Sequence, residues 1–300
     1  MNNLKLSIVG NGAIGNLVAA SASDNKIAYT LLTRIGQRFE LSLIHLNGRK
    51  RRFTPEVRKM DSPGDFDIVL LPLKAYQINF ALKQLMPHIR PQHTIVLLHN
   101  GMGTIDGVKS LFPNNPIVAA TTSYGAYKSD QNSLTETGLG QTHGGWVSQV
   151  KGKYSVQVET LLASLLSPWT WHQDVQLALW RKLAINAIIN PLTAINQINN
   201  GELSERKYQQ TIQHMCHETA RVMQACGYPI SESELLENVF QVIHNTAANF
   251  SSMNRDIVFE RQTEIDFING YIIEQGRRYA VETPYNNQLF NAIKQLEAKY

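Results

Sequence analysis

Apolar residues in the first half of the chain gather in short runs: Leu4–Val9, Ala28–Leu32, Ile68–Leu71, Thr94–Leu98 and Ile117–Ala120. Short apolar runs bounded by turn residues predict strands buried on both faces. Stretches of helical length, such as Asn16–Ser23 and Tyr76–Leu85, lie between several of them. Strand and helix in alternation predict βαβ units and a mainly parallel sheet. Residues 43–57 break the rhythm, with Asn47-Gly48 between strand-like segments, which is a hairpin signal. After Tyr124 the pattern turns strand- and loop-like, with Gly138, Gly140, Gly144 and Gly145 close together. From about Leu177 it is helical to the end. A boundary near Pro168–Asp174 then separates an α/β domain, 1–170, from an all-helical one, 171–300.

One helical segment carries an unusual pattern. Lys182, Asn186 and Asn190 are spaced four apart, and Leu183, Ala184, Ile185, Ala187, Ile188 and Ile189 fill every position between them. On a helix the three polar residues form one narrow stripe. A helix apolar on its remaining faces is buried, and burying unsatisfied amides and a lysine is costly. Two readings fit. The stripe faces a polar cavity or ligand, or its amides belong to a structural network that ties down backbone ends near Pro191.

Composition narrows the class. Three hundred residues, 43% apolar and 17% charged, describe a globular protein of two domains. A net charge of +4 suits anionic small molecules and is too weak to argue for nucleic acid. The basic run Arg49–Arg52 is read as a solvated hairpin arm rather than a nucleic-acid patch. No run approaches the roughly 20 apolar residues of a membrane span, and no cationic stretch precedes the first strand. The only two cysteines, Cys216 and Cys226, give no disulfide framework, so a reducing, cytoplasmic setting is expected. His214, Cys216, His217 and Glu218 resemble a metal cluster, but no second ligand pair has zinc-like spacing. A solvated helix face without metal is expected there.

The first strand runs straight into Gly10-Asn11-Gly12-Ala13-Ile14-Gly15, which opens a helix. The three glycines serve a tight turn, close backbone approach to a pyrophosphate, and helix–strand packing, so this segment predicts dinucleotide binding. At the end of the second strand, where an acid would bind ribose hydroxyls, stand Leu31-Leu32-Thr33-Arg34. An arginine without a carboxylate favours a 2′-phosphate, hence NADP; the alternative is a surface arginine. Leu73–Gln77 and His99–Gly103 each follow a strand, at the carboxyl ends where open α/β sheets bind ligands.

Taken together these segments resemble the ketopantoate reductase (2-dehydropantoate 2-reductase) family. The likeness covers Gly10–Gly15, Leu-Lys-Ala-Tyr-Gln at 73–77, His-Asn-Gly-Met-Gly at 99–103 and Leu-Trp-Arg-Lys-Leu-Ala-Ile-Asn at 179–186. It continues through Ile-Asn-Pro-Leu-Thr-Ala-Ile at 189–195, Asn-Gly-Glu-Leu at 200–203, Ser-Ser-Met at 251–253 and Thr-Glu-Ile-Asp-Phe-Ile-Asn-Gly at 263–270. The resemblance implies an N-terminal Rossmann-type doubly wound parallel sheet, an all-helical C-terminal domain and an active site in the cleft between them. It implies NADPH-dependent reduction of 2-dehydropantoate to (R)-pantoate in pantothenate synthesis by a monomer or homodimer. By position, Lys182 corresponds to the proton donor, and Glu264 stands at the cofactor–substrate junction. Asn186, Asn190, Asn200 and the segment Asn249, Phe250, Ser251, Ser252 would hold substrate. Asn100 would touch both molecules, and Lys74 and Ala126 the cofactor. Around Ala126 the likeness is loosest.

The chemistry wants these residue types. Hydride arriving at a ketone carbon leaves an alkoxide, which an ammonium can both stabilise and protonate. Burial would lower the pKa of Lys182 while Glu264 would raise it, and sequence does not give the balance. Without the resemblance, Glu264 reads as a helix-surface carboxylate beside Arg261. Two rivals remain in view: an NADP-dependent dehydrogenase of another 2-keto or 3-hydroxy acid, and a non-catalytic NADPH sensor that uses its basic hairpin on a partner.

Overall fold

The structure, a computed structural model, describes residues 4–128, 130 and 132–300. It divides into two compact units: Met1–His99 with Thr104–Val175, and Asn100–Gly103 with Gln176–Tyr300.

In the first unit the predicted apolar runs become strands β1 (Leu6–Val9), β2 (Tyr29–Thr33), β6 (Ile68–Leu71), β7 (Thr94–Leu98) and β8 (Ile117–Thr122). Together with β5 (Val57–Lys59) they pair in parallel in the order β8-β7-β6-β1-β2-β5. Numbered among themselves along the chain, these six strands run 3-2-1-4-5-6 from the β5 edge, the order of dinucleotide-binding sheets. β11 (Thr142–Trp146) adds antiparallel to β8, and β12 (Trp169–Trp171) completes eight strands. Helices α1 (Ala13–Asp24), α2 (Ala75–Leu85) and α3 (Ile105–Leu111) join successive parallel strands, and α4 (Ser155–Ala163) precedes β12. The core is continuous: Leu6, Ile8, Leu31, Ile68, Leu70 and Val96 pack with Leu17, Val18 and Ala22 of α1.

The expected hairpin is β3 (Leu41–Ile44) with β4 (Lys50–Phe53), turning at Asn47-Gly48. It replaces a crossover helix between β2 and β5. β3 also pairs in parallel with β10 (Ser133–Gly138), and β10 with β9 (Gly125–Lys128), so a second, four-stranded sheet forms. The basic run is partly spent within this unit. Arg51 pairs with Asp24, bonds Ser23 at 3.1 Å and stacks over Phe53, while Arg52 lies 3.8 Å from Glu40.

The second unit is helical: α5 (Gln176–Asn196), α6 (Arg206–Ala225), α7 (Glu232–Asn245), α8 (Ser252–Val258), α9 (Asn269–Arg278) and α10 (Pro284–Glu297). α5 packs against α6, α7, α8 and α10, which explains its apolar girth. Leu183, Ala184, Ala187, Ile188 and Ile189 are buried. α6 shows the narrower stripe of a half-buried helix, with Ile212, Met215, Cys216, Thr219, Val222 and Met223 inside. Among the described residues no helix is long and apolar enough to cross a membrane.

Candidate active site

Lys182 sits in the second turn of α5. Desolvation lowers its pKa to about 8, against the opposing charge of Glu264, so burial outweighs the carboxylate. Glu264 is itself buried, at the entry to a short 3-10 turn, Ile265–Phe267. It is not the helix-surface partner of Arg261, which instead lies 3.4 Å from Asp256. Asn100 reaches the same carboxylate, its Nδ2 3.5 Å from Glu264 Oε2. The backbone holds that approach in place: Met102 N–H donates to the Phe267 carbonyl at 2.9 Å. Ammonium, carboxylate and amide thus share one neighbourhood, built from three distant parts of the chain.

Asn186 is half-buried one turn beyond Lys182, and Asn190 is buried a further turn on. The Ser251 hydroxyl, in the segment expected to hold substrate, also has structural partners. It caps α8 by accepting from Asn254 N–H at 3.0 Å and lies 2.7 Å from the Thr193 hydroxyl. Ser252, the first residue of α8, is exposed. Asn200 joins the Asn249 segment: its N–H donates to the Asn249 carbonyl at 2.8 Å, and its Nδ2 donates to Thr246 Oγ1 at 2.8 Å. Its Oδ1 is buried without a donor, an acceptor still to be spent. Phe250 is 41% exposed, with the Arg255 guanidinium 4.4 Å from its ring centre.

In the first unit the glycine loop separates its three tasks. Gly10 has φ +89°, and a Cβ there would come within 2.6 Å of Leu73. A Cβ at Gly15 would lie 2.5 Å from the Gly10 carbonyl oxygen, so that glycine seats the helix on the strand. At Gly12 a Cβ would meet nothing within 4 Å. The backbone is therefore bare and open at the residue that caps α1. No side chain caps that helix and its first turn holds no acid, so its leading amides are left for an anion. These residues fit a dinucleotide pyrophosphate. Asn16 Nδ2 and Lys128 Nζ both donate to the Asn11 carbonyl, at 2.9 and 3.0 Å. Lys74 precedes α2, where its N–H donates to Gln77 Oε1 at 3.2 Å. Arg34 stands exposed immediately after β2, and Ala126 lies on β9, packed on the core that includes α1.

The ketopantoate reductase PanE/ApbA model matches residues 6–149 and its C-terminal counterpart residues 174–297. The chain belongs to the ketopantoate reductase family. It is 34% identical over 297 residues to the 2-dehydropantoate 2-reductase of Vibrio cholerae, covering 99% of both chains. To that of Escherichia coli O157:H7 it is 35% identical over 298 residues, covering 99% of this chain and 96% of the other. In fold it is similar to a D-mandelate dehydrogenase solved with NADH and anilino(oxo)acetate, at TM-score 0.90, 21% identity and 99% coverage of both.

For a ketopantoate reductase family member the metal-like cluster on α6 needs another account, and the structure supplies it. The face is not uniformly solvated. Cys216 is buried, its thiol pushed up to about 12 by burial and then by Glu232. Glu218 is buried and accepts from the N–H groups of Tyr285 and Asn286 at 2.7 and 3.0 Å, capping α10. His214 stacks on Tyr285 and His217 lies 2.9 Å from Glu232. Among the described residues no group of three or more ligands could hold a metal. Lys128 went unnoticed in the sequence, where only its place two residues beyond Ala126 on a strand would have marked it as facing the same way.

Proposed function

We propose that this chain catalyses the NADPH-dependent reduction of 2-dehydropantoate to (R)-pantoate, a step of pantothenate synthesis, in the cytoplasm. The observation that carries the reading is the Lys182–Glu264–Asn100 neighbourhood in a chain that matches its relatives over nearly its whole length. Residues 1–170 serve the cofactor and 171–300 the substrate. The nicotinamide supplies a hydride when bound. Lys182 stabilises the negative charge that develops on the substrate oxygen and gives that oxygen its proton. With a pKa of about 8 the ammonium is populated at neutral pH and surrenders its proton more readily than an exposed lysine. Glu264 keeps it charged. Asn186, Asn190 and Asn200 offer neutral amides to the substrate's hydroxyl and carboxylate, so they orient it without altering the charge beside Lys182. The segment Asn249–Ser252 borders the same substrate, with Ser251 acting through the backbone it fixes. Gly10–Gly15 hold the pyrophosphate, Arg34 the 2′-phosphate, and Lys74, Asn100 and Ala126 complete the cofactor contacts. The substrate is a small molecule, and two unpaired cysteines suit a reducing compartment.

The test is NADPH oxidation at 340 nm by purified protein with ketopantoate, pyruvate or 2-ketoisovalerate, and with NADH in parallel. Turnover concentrated on ketopantoate and NADPH is expected. Preference for another 2-keto acid would reassign the substrate, and NADPH binding without turnover on any of them would leave only a sensor.

A further inference from the structure

Lys128 occupies a costly position. It ends β9 in the second sheet, yet its Nζ lies 3.0 Å from the carbonyl oxygen of Asn11, inside the glycine loop. Desolvation lowers its pKa, with Asp130 acting in the opposite sense. It forms no ion pair with any described residue, and the Asn11 carbonyl it meets already accepts from Asn16. The same loop caps the positive end of α1 without any acid in the first turn. An ammonium half-buried beside a helix N-terminus is repelled by it and poorly solvated. Such an arrangement becomes favourable once an anion lies against both. Two of the three ammonium hydrogens remain available for one.

Resting on the cofactor reading above, we propose that Lys128 binds the cofactor's pyrophosphate, brought onto the glycine loop by the second sheet. Lys128 and Ala126 lie on one face of β9, and Ala126 packs on the core that contains α1. The strand therefore runs along the helix, with its lysine at the end where the phosphates bind. This gives the four-stranded sheet a task. It supplies a cation that the parallel sheet and its loops lack at this point, since Gly10–Gly15 contain no charged side chain. Arg34, by contrast, follows β2 and serves the 2′-phosphate.

The experiment measures binding by calorimetry for NADPH, NADH, ADP-ribose and 2′-AMP, with wild type, Lys128→Gln and Lys128→Arg. Gln keeps an N–H donor for the Asn11 carbonyl but loses the charge, and Arg keeps the charge. Lys128→Gln should weaken NADPH, NADH and ADP-ribose alike, by about tenfold or more, as loss of a charge-assisted contact requires. It should leave 2′-AMP, which has no pyrophosphate, within about twofold. Lys128→Arg should stay within about threefold of wild type for all four. Equal binding by Lys128→Gln and wild type would overturn the proposal and leave the cofactor reading intact. A loss shared by 2′-AMP would also overturn it, as a general disturbance of the fold. Wild type that bound neither NADPH nor ADP-ribose would overturn the cofactor reading itself, and this proposal with it.

Discussion

Lys182 shows how much one residue depends on its surroundings. On an exposed helix it would hold its proton to about pH 10.4 and make a poor acid. Burial brings it to about 8, and Glu264 opposes the fall. In the proposed role Lys182 acts as an acid in its protonated form, so kcat/KM for reduction should fall as pH rises through about 8. Glu264→Gln removes the charge that raises the pKa, so its alkaline limb should move to lower pH. A limb that stayed put, or moved up, would show that Glu264 does not act on Lys182. Lys182→Ala should lower kcat by at least about two orders of magnitude, the scale of general-acid catalysis. A loss under about threefold would remove Lys182 from the role. The stripe of Lys182, Asn186 and Asn190 was legible from spacing alone, because a helix turns an interval of four into adjacency. The pKa was not, because it depends on burial and on a carboxylate remote in sequence. Nor was the capping role of Ser251 legible, since a serine hydroxyl looks alike in sequence whether it faces a ligand or caps a helix, and only the fold reveals its partners, Asn254 and Thr193.

At the scale of elements, α5 runs through Pro191, which has no N–H for the Ala187 carbonyl one turn before. That carbonyl accepts instead from Asn269 Nδ2 at 2.9 Å. The second hydrogen of the same amide goes to Asn286 Oδ1 at 3.1 Å, and Asn286 donates to Glu218 Oε2 at 2.9 Å. One buried chain of hydrogen bonds therefore ties α5, α9, α10 and α6 together beneath Lys182's helix. Asn269→Leu should destabilise the protein by about 1–3 kcal/mol in urea unfolding, the cost of stranding buried partners. Pro191→Ala in that background restores a backbone N–H to Ala187, so the double variant should lose less than the sum of the two. Strict additivity would break the link between them. The pattern near Pro191 invited a structural network of amides, and such a network exists. Its members are Asn269 and Asn286, however, which no local periodicity connects to Pro191.

For the whole molecule, alternation of apolar runs and helices was enough to foresee a parallel sheet followed by helices, since both periodicities are local. The second sheet was hidden because β3 and β10 pair across most of the first unit's length. Also hidden was the way the second unit recruits Asn100–Gly103 from the first half of the chain. Gly101 makes that recruitment testable. Its φ is +81°, and a Cβ would stand 2.5 Å from the Phe267 carbonyl oxygen, next to the turn that presents Glu264. Gly48, in the hairpin, has the same φ of +81° but nothing within 4 Å of a Cβ, so it isolates backbone strain from collision. Gly48→Ala should cost about 1 kcal/mol of stability and leave kcat unchanged. Gly101→Ala should cost at least about 1 kcal/mol more, because the opposing atom is backbone and cannot step aside as a flexible side chain would. It should also lower kcat by about tenfold or more, since shifting either strand of that contact separates Asn100 from Glu264 and disturbs the setting of Lys182. Equal losses from the two substitutions would mean that residues 100–103 lie loosely on the helical unit, and that Asn100 finds Glu264 without their help.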